Sequence, residues 1–254
     1  MTNLFLNKAA LDSLVLPINV RSEIEKLCHQ LYTVAKENLA GIILYGGVAR
    51  GRYRPEKSDI NLILLLYQIT STTLQALAPP LKDAWRSLQI EPFVLIPNEV
   101  HLLAQSFPTK FLEIHKHHIV LMGEDYFTAL SIPRGTILNR IEQGLNNILL
   151  RMRKSYLASY PDPLAMNAMM RDLAVPLRIE FLAFLQLLEK DNPDASTTVD
   201  VLTSAARELQ LDQHALETLA NMRHDSSVDI DYDDLYNRTA QTISKAVRQV
   251  QNLR

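Results

Sequence analysis

The chain has a single cysteine, Cys28, among its 254 residues, and so cannot close an internal disulfide. It also lacks any apolar run near the roughly 18 residues needed to cross a bilayer. Even the stretch from Ile60 to Tyr67 is only strand-sized. The N-terminus lacks the positive segment and apolar core of a secretory signal. These absences argue against a disulfide-stapled scaffold and a helical membrane span, and they make a reducing cytoplasm the expected compartment. Neither sign of charge dominates: 26 Lys and Arg stand against 28 Asp and Glu, a net charge of −2. Without a global basic surface, long nucleic acid is disfavoured as a partner, and any polyanion must be held by a local cluster. No internal repeat or low-complexity segment stands out. What the chain does have is 47% apolar residues, enough for one large core or two modest ones.

The first half alternates helical and extended patterns. A helix is expected from about Ser22 to Leu39, with Ile24, Leu27, Cys28, Leu31 and Ala35 recurring on one face. Extended segments are expected at Ile42 to Tyr45, Asp59 to Tyr67, Ile90 to Ile96 and Ile119 to Met122. Pro79-Pro80 is expected to interrupt the polar helical stretch between the second and third of these. From about Pro133 the strand signals stop. Helical periodicity takes over at Ile141, Leu145, Ile148 and Met152, then at Leu173, Leu177, Phe181 and Phe184, with a kink expected at Pro176. Asp191 to Ser196 reads as a turn-rich connector, and Tyr232 to Val250 as a closing helix. The pattern predicts an α/β domain over residues 1–130 and an all-helical domain over residues 131–254.

Chemistry concentrates near residue 45. Gly46 and Gly47 follow an apolar strand and are expected to open a short helix through Val48, Ala49 and Arg50. Glycine allows close backbone approach, and amides at such a turn can bind an anion. Arg50, Arg52, Arg54 and Lys57 follow, able to neutralise phosphate. A tight turn with solvated charges is the plain alternative. Asp59 and Asn61 are two apart in an extended segment, so both face one side and can offer oxygen ligands to a magnesium ion. Glu91 alternates with Phe93 and Leu95 on one face of another strand. The neighbouring Pro92 limits pairing there, which marks a sheet edge or a strand start.

The run Leu44-Tyr45-Gly46-Gly47-Val48-Ala49-Arg50-Gly51, with Asp59-Ile60-Asn61-Leu62 separated from Gly47 by eleven residues, resembles the active-site motif of the DNA polymerase β superfamily of nucleotidyltransferases. That motif is Gly-Gly/Ser, a spacer, and Asp-h-Asp/Glu-h, with h apolar. Here Asn61 replaces its second carboxylate. The resemblance implies a mixed-sheet α+β domain followed by a helical bundle. It also implies nucleotide binding by Gly46, Gly47, Arg50 and Ser58, and magnesium held by Asp59, Asn61 and Glu91. Asp59 and Glu91 are the implied catalytic residues, with Glu91 as general base. Phe111-Leu112-Glu113-Ile114 and Ile119 to Asp125 are similar to the end of the catalytic domain in small antibiotic-type nucleotidyltransferases. The resemblance thus covers roughly residues 22 to 130, and the helical half only in architecture.

The implied activity moves a nucleoside monophosphate from a nucleoside triphosphate to a hydroxyl of a small molecule or protein. Two magnesium ions carry four positive charges, and only two of three carboxylates remain to offset them, so magnesium binding and activity are expected to be weakened. The alternative is an inactive module of the same fold that binds nucleotide or protein. His115, His117 and His118 lack a regular zinc spacing and a cysteine partner, and read as surface or helix-end residues. The acids Asp225, Asp229, Asp231, Asp233 and Asp234 miss the glycine and glutamate of a calcium loop, and suit the positive end of the helix that follows.

Overall fold

The computed structural model describes residues 4–55, 58–190, 197–222 and 230–254. The connector at 191–196, Lys57, Asp225 and Asp229 lie outside them. The chain divides into two compact units, Met1–Ile132 and Pro133–Arg254.

The first unit opens with α1 (Lys8–Asp12) and α2 (Ile18–Ala35), then one turn of 3-10 helix leads into β1 (Leu39–Tyr45). The expected face of α2 is the buried one: Ile24, Leu27, Cys28, Leu31 and Ala35 all point into the core. The helix starts earlier than expected because Pro17 sits at its N-cap, where a missing N–H costs nothing. β2 (Ile60–Leu66), α3 (Ser71–Leu88) and β3 (Ile90–Leu95) come next, followed by α4 (Val100–Ser106), α5 (Pro108–Lys116) and β4 (His118–Gly123). The sheet order is β3-β2-β1-β4. β1 runs antiparallel to both β2 and β4, and β2 runs parallel to β3, so the sheet is mixed. Glu91 and Pro92 lie on the β3 edge, where a residue without an N–H is tolerated.

Both faces of the sheet are covered. Ile42, Leu44, Leu62 and Leu64 pack with α2 and α3, while Ile43, Ile63 and Leu65 pack with Phe111 and Ile114 of α5 and with Phe127. Covered twice, β1 is buried at every position and β2 at every position but Asn61. Each fully buried Leu, Ile or Phe contributes about 1.5–3 kcal/mol.

Two proline expectations are corrected. Pro79 and Pro80 lie inside a continuous α3 and do not interrupt it. The carbonyls they leave without donors belong to Gln75 and Ala76, both on the exposed side, where water can serve them. Pro176 falls in the first turn of α8 (Ala174–Leu187), where no helical N–H is needed, so no mid-helix kink arises.

The second unit is all-helical. It begins with α6 (Arg134–Ser159) and α7 (Pro163–Arg171), and after α8 come α9 (Thr198–Glu208), α10 (Gln213–Asn221) and α11 (Tyr232–Gln251). α6 packs on α8 and α11, and α8 also on α9. Where α6 meets α8, Gly144 makes room for Glu180: a Cβ on Gly144 would stand 2.1 Å from that carboxylate. Glu180 accepts a 3.1 Å hydrogen bond from Arg140. Asp231 caps α11, accepting from the amides of Asp233 and Asp234, as expected for acids at a helix start. Among the described residues no helix is long and apolar enough to cross a membrane.

Candidate functional site

At one end of the sheet the register sets Tyr45 of β1 opposite Asn61 of β2, and Asn61 opposite Glu91 of β3. Three residues from three strands therefore lie in one row. Immediately after Tyr45 the chain leaves the sheet at Gly46, with φ +69°, a conformation that glycine adopts without strain. The expected short helix is instead a single knot of turns. The Arg50 amide donates to the Gly46 carbonyl at 3.1 Å, the Gly51 amide to Val48 at 3.0 Å, and the Arg52 amide to Gly47 at 2.8 Å. Gly51, also at positive φ, stops the coil from continuing as a helix. A Cβ added at Gly47 would meet nothing within 4 Å, whereas one at Gly46 would stand 3.2 Å from the Asn61 amide nitrogen.

The residues expected at the site divide into three groups. Gly46, Asn61 and Glu91 share the sheet end. Asp59 lies one residue before β2 and is exposed, as is Glu91. Ser58 closes the basic loop: its hydroxyl accepts from the Arg54 amide at 3.0 Å, and its own amide donates to the Arg54 carbonyl at 3.0 Å. Among the described residues no three His, Cys, Asp or Glu side chains converge as a metal cage. The donor set of two carboxylates and an amide oxygen still matches a hard cation such as magnesium, which takes oxygen ligands and keeps several waters.

Arg50 is deeply buried, with 6% of its side chain exposed, and its guanidinium Nη2 lies 3.1 Å from Oε1 of Glu113 on α5. Neither Nε nor Nη2 of Arg50 has a hydrogen bond of acceptable geometry, so the contact is an ion pair out of line. The same Oε1 of Glu113 would be 3.9 Å from a Cβ on Gly46. Glu113 therefore belongs to the site. One turn before it, Lys110 sets its ammonium 3.9 Å from the ring centroid of Phe93 and 6.0 Å from that of Tyr45. Burial pushes the Tyr45 phenol up to about 12, and the nearby charges of Glu113 and Glu91 add to the shift. In the sequence, Glu113 stood out only as part of the run Phe111 to Ile114, with no role attached, and Lys110 only through its spacing of three from Glu113, which sets the two on one side of a helix.

The histidines have structural partners. His118 faces the Ile114 carbonyl at 2.8 Å and the Asp125 carboxylate at 3.1 Å, and His115 faces the Phe127 carbonyl at 2.9 Å. Burial opposes ionisation of Asp125, but hydrogen bonds from Thr128, from the Phe127 amide and from His118 outweigh it and hold the carboxyl well below the usual range. Burial also lifts the Cys28 thiol to about 12, with Glu25 adding to the effect, which leaves it unreactive.

No family model matches the chain. No curated protein matches it significantly. Among solved structures it is similar to a spectinomycin adenyltransferase from Enterococcus faecialis, solved with ATP and spectinomycin, at a TM-score of 0.53 and 13% sequence identity. The likeness covers 91% of this chain and 98% of that one, so it extends through both units. The chain therefore has a nucleotidyltransferase-like fold with a helical second half.

Proposed function

We propose that the chain is a nucleotidyltransferase-like protein that takes a nucleoside triphosphate at the end of its sheet and passes the nucleoside monophosphate to a hydroxyl of a small molecule or protein. The observation that carries this reading is the row Tyr45, Asn61 and Glu91, joined directly to the positive-φ turn at Gly46. Gly46, Gly47, Arg50 and Ser58 would bind the nucleotide. Asp59, Asn61 and Glu91 would hold magnesium, which when bound supplies positive charge for the phosphates. In the transfer, a bond forms between the acceptor oxygen and the α-phosphorus as the bond from that phosphorus to the β-phosphate oxygen breaks. Pyrophosphate leaves, and the hydroxyl proton passes to Glu91. Asn61 offers an oxygen but no charge, so the reaction is slow.

The likeness to an adenyltransferase solved with ATP and spectinomycin makes ATP and hydroxyl-bearing small molecules the first ligands to test. The test is a calorimetric titration with each nucleoside triphosphate, with and without magnesium or manganese, alongside release of pyrophosphate. Binding with metal-dependent pyrophosphate release supports transfer. Binding without release supports a second reading, a regulatory module of the same fold, which Asn61 in place of a carboxylate favours. No binding of any triphosphate sinks transfer and nucleotide binding alike, and leaves a module of the same fold that binds protein.

A further inference from the structure

The Arg50–Glu113 pair is poorly matched in two respects. A guanidinium enclosed to 6% exposure normally has several aligned acceptors, since burying N–H groups without them is costly. Arg50 has one carboxylate at 3.1 Å, and neither Nε nor Nη2 is hydrogen-bonded. Glu113, by contrast, is a third exposed and can swing away from the pair. Its Oε1 would stand 3.9 Å from a Cβ on Gly46, and the Asn61 amide nitrogen 3.2 Å from the same point.

A phosphate approaching Gly46 and Gly47 would therefore meet a negative charge, and would find the buried cation of the turn already occupied. We infer that Glu113 is an internal counter-anion, which competes with the phosphates of a nucleoside triphosphate for Arg50 and thereby sets the affinity of the site. The contact is off-line, so an incoming phosphate with three oxygens can replace one carboxylate oxygen and satisfy donors that Glu113 leaves open. This inference rests on the reading that the glycine turn takes the triphosphate.

The test titrates ATP and inorganic tripolyphosphate into the full-length protein, once in a metal chelator and once with magnesium. The variants are Glu113→Gln, Glu113→Asp and Arg50→Gln. Glu113→Gln is expected to bind both ligands about tenfold more tightly than the unaltered protein, and Arg50→Gln more weakly. If Glu113→Gln does not fold, Glu113→Asp serves in its place. It keeps the charge that Arg50 requires but withdraws it by one methylene, so a smaller gain is expected. Equal or weaker binding by the folded Glu113 variants, with binding retained by the unaltered protein, overturns the inference and leaves the nucleotide reading standing. Absence of binding in every variant, with and without magnesium, removes that reading and the inference together.

Discussion

Asn61 is the single incompletely buried residue of β2, set between Tyr45 and Glu91. Asn61→Asp adds a negative charge at nearly constant volume. If Asp59 and Glu91 share an ion, magnesium affinity should rise about tenfold or more, for which roughly 1.4 kcal/mol suffices. Calorimetry on both proteins measures this, and an unchanged affinity would mean that the carboxylates do not converge on one ion. Gly47 tests the turn itself. It has open space where a side chain would project, and positive φ belongs to Gly46 instead. Gly47→Val should therefore fold with an unfolding midpoint close to that of the parent while losing triphosphate binding, because the isopropyl group fills the path to the backbone. A folded Gly47→Val protein with undiminished ATP affinity would reduce the turn to a structural role.

At the scale of elements, two carboxyls should give opposite pH dependences. Asp125 ties His118, at the start of β4, to the segment that follows the strand, and its folded pKa is depressed. Its contribution is present above the unfolded value of about 3.9 and is lost as pH falls through the lower folded value. Urea midpoints should show the parent more stable than Asp125→Asn above about pH 4, with the gap closing in acid. Glu180 joins α8 to α6, and burial raises its pKa, with Arg140 only partly opposing. Its contribution is present below the unfolded value of about 4.3 and is lost as pH rises through the higher folded value. Glu180→Gln should gain on the parent as pH rises from about 4.3, and a pH-independent difference would refute the assignment.

The elements were legible in the sequence where a period repeats. The buried face of α2 and the four strand segments follow from apolar residues at helical spacing and from short apolar runs. Pro79, Pro80 and Pro176 were misjudged because the cost of a proline depends on whether the freed carbonyl reaches water and on which turn it occupies, and neither is written in the local sequence. Motif spacing along the chain pointed to Asn61, and the resemblance to an acid on a neighbouring strand pointed to Glu91; the register sets the two side by side. The Arg50–Glu113 pair did not, because its halves lie on a turn and a distant helix that only the packing of α5 against the sheet brings together.

For the whole molecule, the division after Ile132 has a direct test. The two clusters that cover the faces of the sheet draw only on residues before Pro133. A fragment of residues 1–132 should therefore fold alone and unfold cooperatively in urea, and a gradual, non-cooperative loss of helical signal would show that it depends on the second unit. The strand order also bears on how the protein is made. β1 lies between β2, which follows it closely, and β4, which arrives last, so the central ladder cannot be completed until Gly123 has been synthesised. Everything the sheet needs then exists before the helical half is translated. On the ribosome, the nascent chain can thus close over its apolar strands early, which shortens the time during which β1 and β2 are exposed to other chains and to the quality-control machinery that recognises bare apolar strands.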